Sequence, residues 1–87
     1  MDTTIKSDQL LIELGNSVRK VRLSKNLSIV EVSAKAGIES NNWTRLEKGG
    51  TNPTWKTICK VALALEVEPF ELLSTFQLLD RDNQKSD

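Results

Sequence analysis

The sequence predicts an all-α fold, a bundle of five short helices. Apolar residues recur at three- and four-residue spacing along most of the chain, while the β-branched clusters are short and lack two-residue alternation. Punctuation agrees with this reading: Ser28, Gly37, Gly49-Gly50, Thr54 and Pro69 stand where helices need starts and stops.

The first helix is expected from about Asp8 to Ser24, with Leu11, Leu14, Val18 and Val21 as one apolar stripe and Asn26 suited to the left-handed position after it. The second starts at Ser28, whose hydroxyl can cap the helix while Glu31 reaches back from three residues on, and it stops at Gly37, where positive φ costs little. The third covers about Ser40 to Lys48 and ends at Gly49-Gly50. A loop through Thr51, Asn52 and Pro53 leads to the fourth, capped by Thr54 and running to Leu65. Its apolar face carries Trp55, Ile58, Val61, Ala62 and Leu65, with Trp55 expected as a core anchor. The fifth runs from Pro69, at the first helical turn, to about Leu79. Residues 1–7 are then a disordered arm, 8–80 one domain, and 81–87, "RDNQKSD", a flexible tail too polar to pack.

Composition narrows the function classes. With 87 residues, 38% hydrophobic and 28% charged, the chain suits one soluble domain with a marginal core, and pairing with a second copy is one way to bury more surface. It holds no apolar run of membrane-spanning length, and "MDTTIKSDQ" has no signal-like core, so a cytoplasmic protein without a membrane partner is expected. The chain has no His, its single Cys59 lies in an apolar stretch without a base beside it, and it has no phosphate-cradling Gly motif. No catalytic residue, metal site or cofactor is therefore expected.

Net charge is zero, but the charges are unevenly placed. From Gly15 to Lys60 there are nine basic residues (Arg19, Lys20, Arg22, Lys25, Lys35, Arg45, Lys48, Lys56, Lys60) and three acidic ones (Glu31, Glu39, Glu47). Either this makes a basic face on a neutral protein, or the charges are scattered over solvated helix surfaces.

Two short helices joined at Gly37, Ile38 and Glu39 suggest a helix-turn-helix, in which the second helix enters the major groove of DNA. Short helices around a Gly turn also occur in unrelated bundles, so spacing alone leaves the choice open. The residues say more. The "RKVRLSKNLS", "AGI", "RLEKGGTNP" and "VALALEVEPFELL" pieces, within about Leu14 to Leu73, closely resemble the Cro and lambda-repressor type of helix-turn-helix domain, also called the xenobiotic-response-element family. That resemblance implies a five-helix, lambda-repressor-like bundle that binds operator DNA as a dimer and regulates transcription, commonly as a repressor. It also implies that Arg22 pairs with Glu47. A charge within each apolar seam is tolerable only if the two meet, because an unpaired buried charge is very costly.

At about 100° per residue, Leu46 and Glu47 fall within about 60° of Trp43, while Asn41, Arg45 and Lys48 lie on the opposite side of the third helix. Trp43 and Leu46 are therefore expected as core anchors, with a DNA or protein contact as the alternative for the indole. Arg45 can bond guanine O6 and N7 together and Asn41 adenine N6 and N7 together; Ser40, Asn42 and Thr44 can add single contacts. Phosphate contacts are expected from Arg19, Lys20, Lys48, Thr51, Asn52 and Lys56. Ordinary solvent-facing polarity is the competing reading for each.

Two residues depart from the family pattern. Where relatives usually carry Gln after the Ser28 cap, this chain has Ile29, which either packs inward or exposes an apolar spot to thymine methyls or to a partner protein. The third helix's cap, normally Ser or Thr, is Glu39, so Ser40 is expected to take over the capping role.

The fifth helix is richer in apolar residues than one small bundle needs. A homodimer interface through Phe70, Leu72, Phe76 and Leu79 is expected, against the alternative that Phe70, Leu73 and Phe76 are core and the others are singly exposed. The rival function is a protein-interaction module on the same fold, such as the antitoxin of a toxin–antitoxin pair, with a toxin or other protein as partner. The length also suits a phage-type repressor or a restriction–modification controller.

Overall fold

The computed structural model describes residues 6–73. Five helices follow one another: α1 (Ser7–Ser24), α2 (Ile29–Ala36), α3 (Ser40–Glu47), α4 (Trp55–Leu65) and α5 (Pro69–Leu73). There is no strand among the described residues. The first helix opens at Ser7, so that residue leaves the expected N-terminal arm. The rest of the arm up to residue 5, the second half of the expected fifth helix with Phe76 and Leu79, and the C-terminal tail lie outside the described residues.

Local chemistry sets the helix ends. Ser28 and Glu31 form a complete capping box: the Glu31 N–H donates to Ser28 Oγ at 3.0 Å, and the Ser28 N–H donates to Glu31 Oε1 at 2.9 Å. Gly37 closes α2 at φ 69°, a left-handed conformation that glycine adopts without steric cost. Thr54 caps α4 by accepting from the Thr57 N–H at 3.2 Å. Before α5, Glu71 folds back to accept from the Glu68 N–H at 2.9 Å, half of a capping box around Pro69. Glu66 ends α4 at φ 61°, although it is neither Gly nor Asn.

The helices wrap one core. Helix α2 packs on α3 and α4, α1 on α3 and α5, and α4 on α5. Leu14 and Val18 of α1, Val32 of α2, Trp43 and Leu46 of α3, Val61 and Leu65 of α4 and Leu72 of α5 meet there. Helix α1 comes unusually close to the end of α3: a Cβ on Gly15 would lie 2.5 Å from the carbonyl oxygens of Leu46 and Glu47. Only a residue without a side chain permits this backbone-to-backbone approach.

Two expectations fail. Trp55 is half-exposed rather than a core anchor, and it lies against Phe70 with ring centroids 5.8 Å apart and planes at 43°. As the first residue of α4 it sits about 70° from the centre of the buried arc formed by Ile58, Val61, Ala62 and Leu65, so the core does not enclose it. Leu72, expected at an interface between copies, is fully buried between α1 and α4 and offers no surface to a second chain.

Candidate nucleic-acid interface

Helix α3 is held by its inner face. Trp43 is fully buried, Leu46 and Glu47 nearly so, and the Trp43 indole N–H donates to Glu47 Oε2 at 2.7 Å, one helical turn away. Arg22 reaches the same carboxylate from α1, with Nε donating to Oε2 at 2.6 Å and Nη2 to Oε1 at 3.0 Å. Its Nη1 donates to the Leu27 carbonyl at 2.9 Å. The bidentate bond to Glu47 raises the Arg22 pKa against the opposing effect of burial, so the guanidinium stays charged inside the protein. The Arg22–Glu47 pair thus ties α1, the turn before α2 and α3 into a fixed unit.

The opposite face of α3 is open. Ser40, Asn41, Asn42, Arg45 and Lys48 are exposed, and Thr44 is half-buried. Arg45, Lys48, Arg19, Lys20 and Lys56 make no ion pair among the described residues. Asn52 is exposed and Thr51 half-buried in the loop before α4. Two open niches flank the helix. One, of about 360 Å³, lies between the Gly37–Glu39 turn, Asn42 and the Thr51–Pro53 loop. The other, of about 280 Å³, lies between Arg19 and Arg22 of α1, Ile29 of α2, and Thr44, Glu47 and Lys48 at the end of α3.

The turn leaves the first N–H groups of α3 without a side-chain cap. Glu39 occupies the cap position and makes no capping bond. Ser40 does not substitute for it, because it is the first helical residue rather than the extended residue before the helix.

Sequence reasoning missed three parts of this arrangement. The i,i+4 spacing of Trp43 and Glu47 was a usable signal for the indole's partner, and a lone Gly15 within an apolar stripe was one for close helix approach. The Leu27 carbonyl carried no side-chain signal at all. Ile29, for which two fates were open, is half-buried against the core and also lines the second niche; its neighbour Val30 is the exposed one, at 71%.

A short helix α2, a turn at Gly37 and a helix α3 displayed on its polar side make a helix-turn-helix, and the sequence agrees: residues 17–77 match the Cro/C1-type HTH DNA-binding domain. The chain belongs to that family. This DNA-binding regulator is 34% identical over 61 residues to an uncharacterised HTH-type transcriptional regulator, y4dJ, of Sinorhizobium fredii, covering 70% of this chain and 79% of that one. Among solved structures, it is similar to the restriction-modification controller protein C.AhdI from Aeromonas hydrophila, at 31% identity and a TM-score of 0.72, over 74% of this chain and 97% of that one. Two others share the regulator's fold. The controller protein C.Esp1396I has a TM-score of 0.69 at 23% identity, covering 90% and 95% of the two chains. An HTH_3 family transcriptional regulator from Vibrio cholerae has a TM-score of 0.78 at 22% identity, covering 85% of this chain and 42% of that one. No helix among the regulator's described residues is long and apolar enough to cross a membrane.

Proposed function

We propose that this regulator acts in the cytoplasm as a homodimer on a near-palindromic operator, as a repressor or restriction–modification controller, by binding rather than by catalysis. The observation that carries the reading is the two-sidedness of α3: Trp43, Leu46 and Glu47 are locked inside, while Asn41, Arg45 and Lys48 are exposed, the two cations without an ion pair among the described residues. Arg45 and Asn41 supply bidentate base recognition, with Ser40, Asn42 and Thr44 adding single contacts. Arg19, Lys20, Lys48, Thr51, Asn52 and Lys56 supply phosphate contacts that set the register.

Dimerisation is supported by exposed apolar surface near the C-terminal helices, where Trp55 and Phe70 lie against each other and Leu63 is 77% exposed. Two copies would place their recognition helices about 34 Å apart, one turn of DNA. Fluorescence anisotropy with a random-sequence duplex from about 50 to 200 mM salt tests the DNA face, because phosphate binding must weaken steeply over that range. Selection from a random library should then return a site with two related halves, and sedimentation should show a dimer on it. A single half-site bound by one chain would overturn the dimer, and no binding at the lowest salt would move the reading to a protein-interaction module.

A further inference from the structure

The niche between α1, α2 and α3 contains an apolar residue, Ile29, beside the polar residues of the proposed interface. Ile29 is the first residue of α2 and is half-buried against the core, so its position is set by packing rather than by solvent. The part left open lines the same niche as Thr44 of α3. Arg19 and Lys48 stand on the rim, both exposed and without an ion pair among the described residues.

The floor has little to offer a polar base edge. Both Glu47 oxygens already accept from Arg22, one of them from Trp43 as well, and Arg22 donates through all three of its nitrogens. Ile29 and the Thr44 methyl group supply the apolar part of the walls. In the major groove, thymine alone presents an apolar group, its 5-methyl, whereas the other base edges present donors and acceptors. Rim cations that hold backbone phosphates would bring the neighbouring base edges to this wall.

We propose that Ile29 is a specificity-determining residue, receiving, together with Thr44, the 5-methyl group of one thymine in each half-site. The assignment rests on α3 and its flanks being the DNA face. It extends base reading from α3 to the start of α2, through an apolar contact rather than a hydrogen bond.

The test uses the full chain and an operator selected from a random duplex library. Each thymine of a half-site is replaced singly by uracil, which removes only the methyl, and binding is followed by fluorescence anisotropy at fixed salt. Burying one methyl predicts that uracil at one position weakens the unaltered protein about four-fold. Ile29→Asn should abolish that penalty while leaving the penalties of mismatches elsewhere in place. Ile29→Val, which keeps most of the packing, should reduce it to about two-fold and serves where Ile29→Asn melts early. Thr44→Ser should reduce it as well. The proposal is overturned if no thymine shows a uracil penalty, or if Ile29→Val and Ile29→Asn both keep the full one. Failure of every duplex to bind at about 50 mM salt removes the DNA face and this assignment together; tight binding without a uracil effect removes Ile29 alone.

Discussion

Trp43 and Arg22 donate to the same oxygen of Glu47, at 2.7 and 2.6 Å, from two different helices. The recognition helix therefore hangs on one carboxylate. Trp43→Phe keeps most of the buried ring and leaves Glu47 paired with Arg22, so the loss should be about 1–3 kcal/mol, that of one hydrogen bond to a charged group. Glu47→Gln leaves the Arg22 guanidinium buried without a counter-charge and should cost about 3–5 kcal/mol. Urea denaturation of both variants checks the order, which is the informative part: an equal or larger loss for Trp43→Phe would mean that ring packing, not the carboxylate, holds α3.

Gly15→Ala should destabilise the protein although alanine is the better helix former by about 1 kcal/mol. The new methyl would meet the Leu46 and Glu47 carbonyls at 2.5 Å, and those are backbone atoms that cannot swing aside. Overpacking of this kind costs about 1–3 kcal/mol, and because the displaced segment is the end of α3, operator affinity should fall with it. Thermal melting and anisotropy on the same variant make the comparison; a raised melting temperature would rule out the close approach.

Arg45→Ala and Lys20→Ala should separate base reading from phosphate binding. The first should lower discrimination between operator and random duplex by about 1–3 kcal/mol. The second should weaken binding to every sequence alike and reduce the salt slope by about one. Equal losses with unchanged discrimination would remove Arg45 from the base-reading set.

The cap of α2 should respond to acid. Glu31's carboxyl is held below its ordinary value of 4.5, first by the Ser28 backbone N–H and then by the Ser28 side chain. A lowered folded-state pKa means stability that is present above about the unfolded value and lost as pH falls through the folded one. Below pH 4.5 the α2 N-terminus should therefore loosen, seen as a shift of the Ser28 amide resonance that follows the Glu31 carboxyl and is absent in Glu31→Ala.

Glu66→Gly should stabilise the chain. The residue sits at φ 61°, where a side chain is strained, and its contact with Lys35 is a long 3.6 Å pair between exposed groups. A gain of about 1 kcal/mol, or about 4–8 °C in melting temperature for a domain of this size, is expected from calorimetry.

Helix boundaries and the inward face of α3 were legible in the sequence because both depend on near neighbours in the chain. A Ser three residues before Glu, a Gly after the last apolar residue and a Trp whose i+3 and i+4 partners are Leu46 and Glu47 act within one or two helical turns, where spacing and distance are the same thing. The fates of Trp55, Leu72 and Ile29 depended instead on which helix lies opposite. Leu72 is core because α1 and α4 close over it, Trp55 stays half-open because it lies off the buried arc of α4, and Ile29 is divided between core and niche. Periodicity gives the direction of a side chain but not the distance to the surface it meets, and that distance is settled only when five helices pack at once.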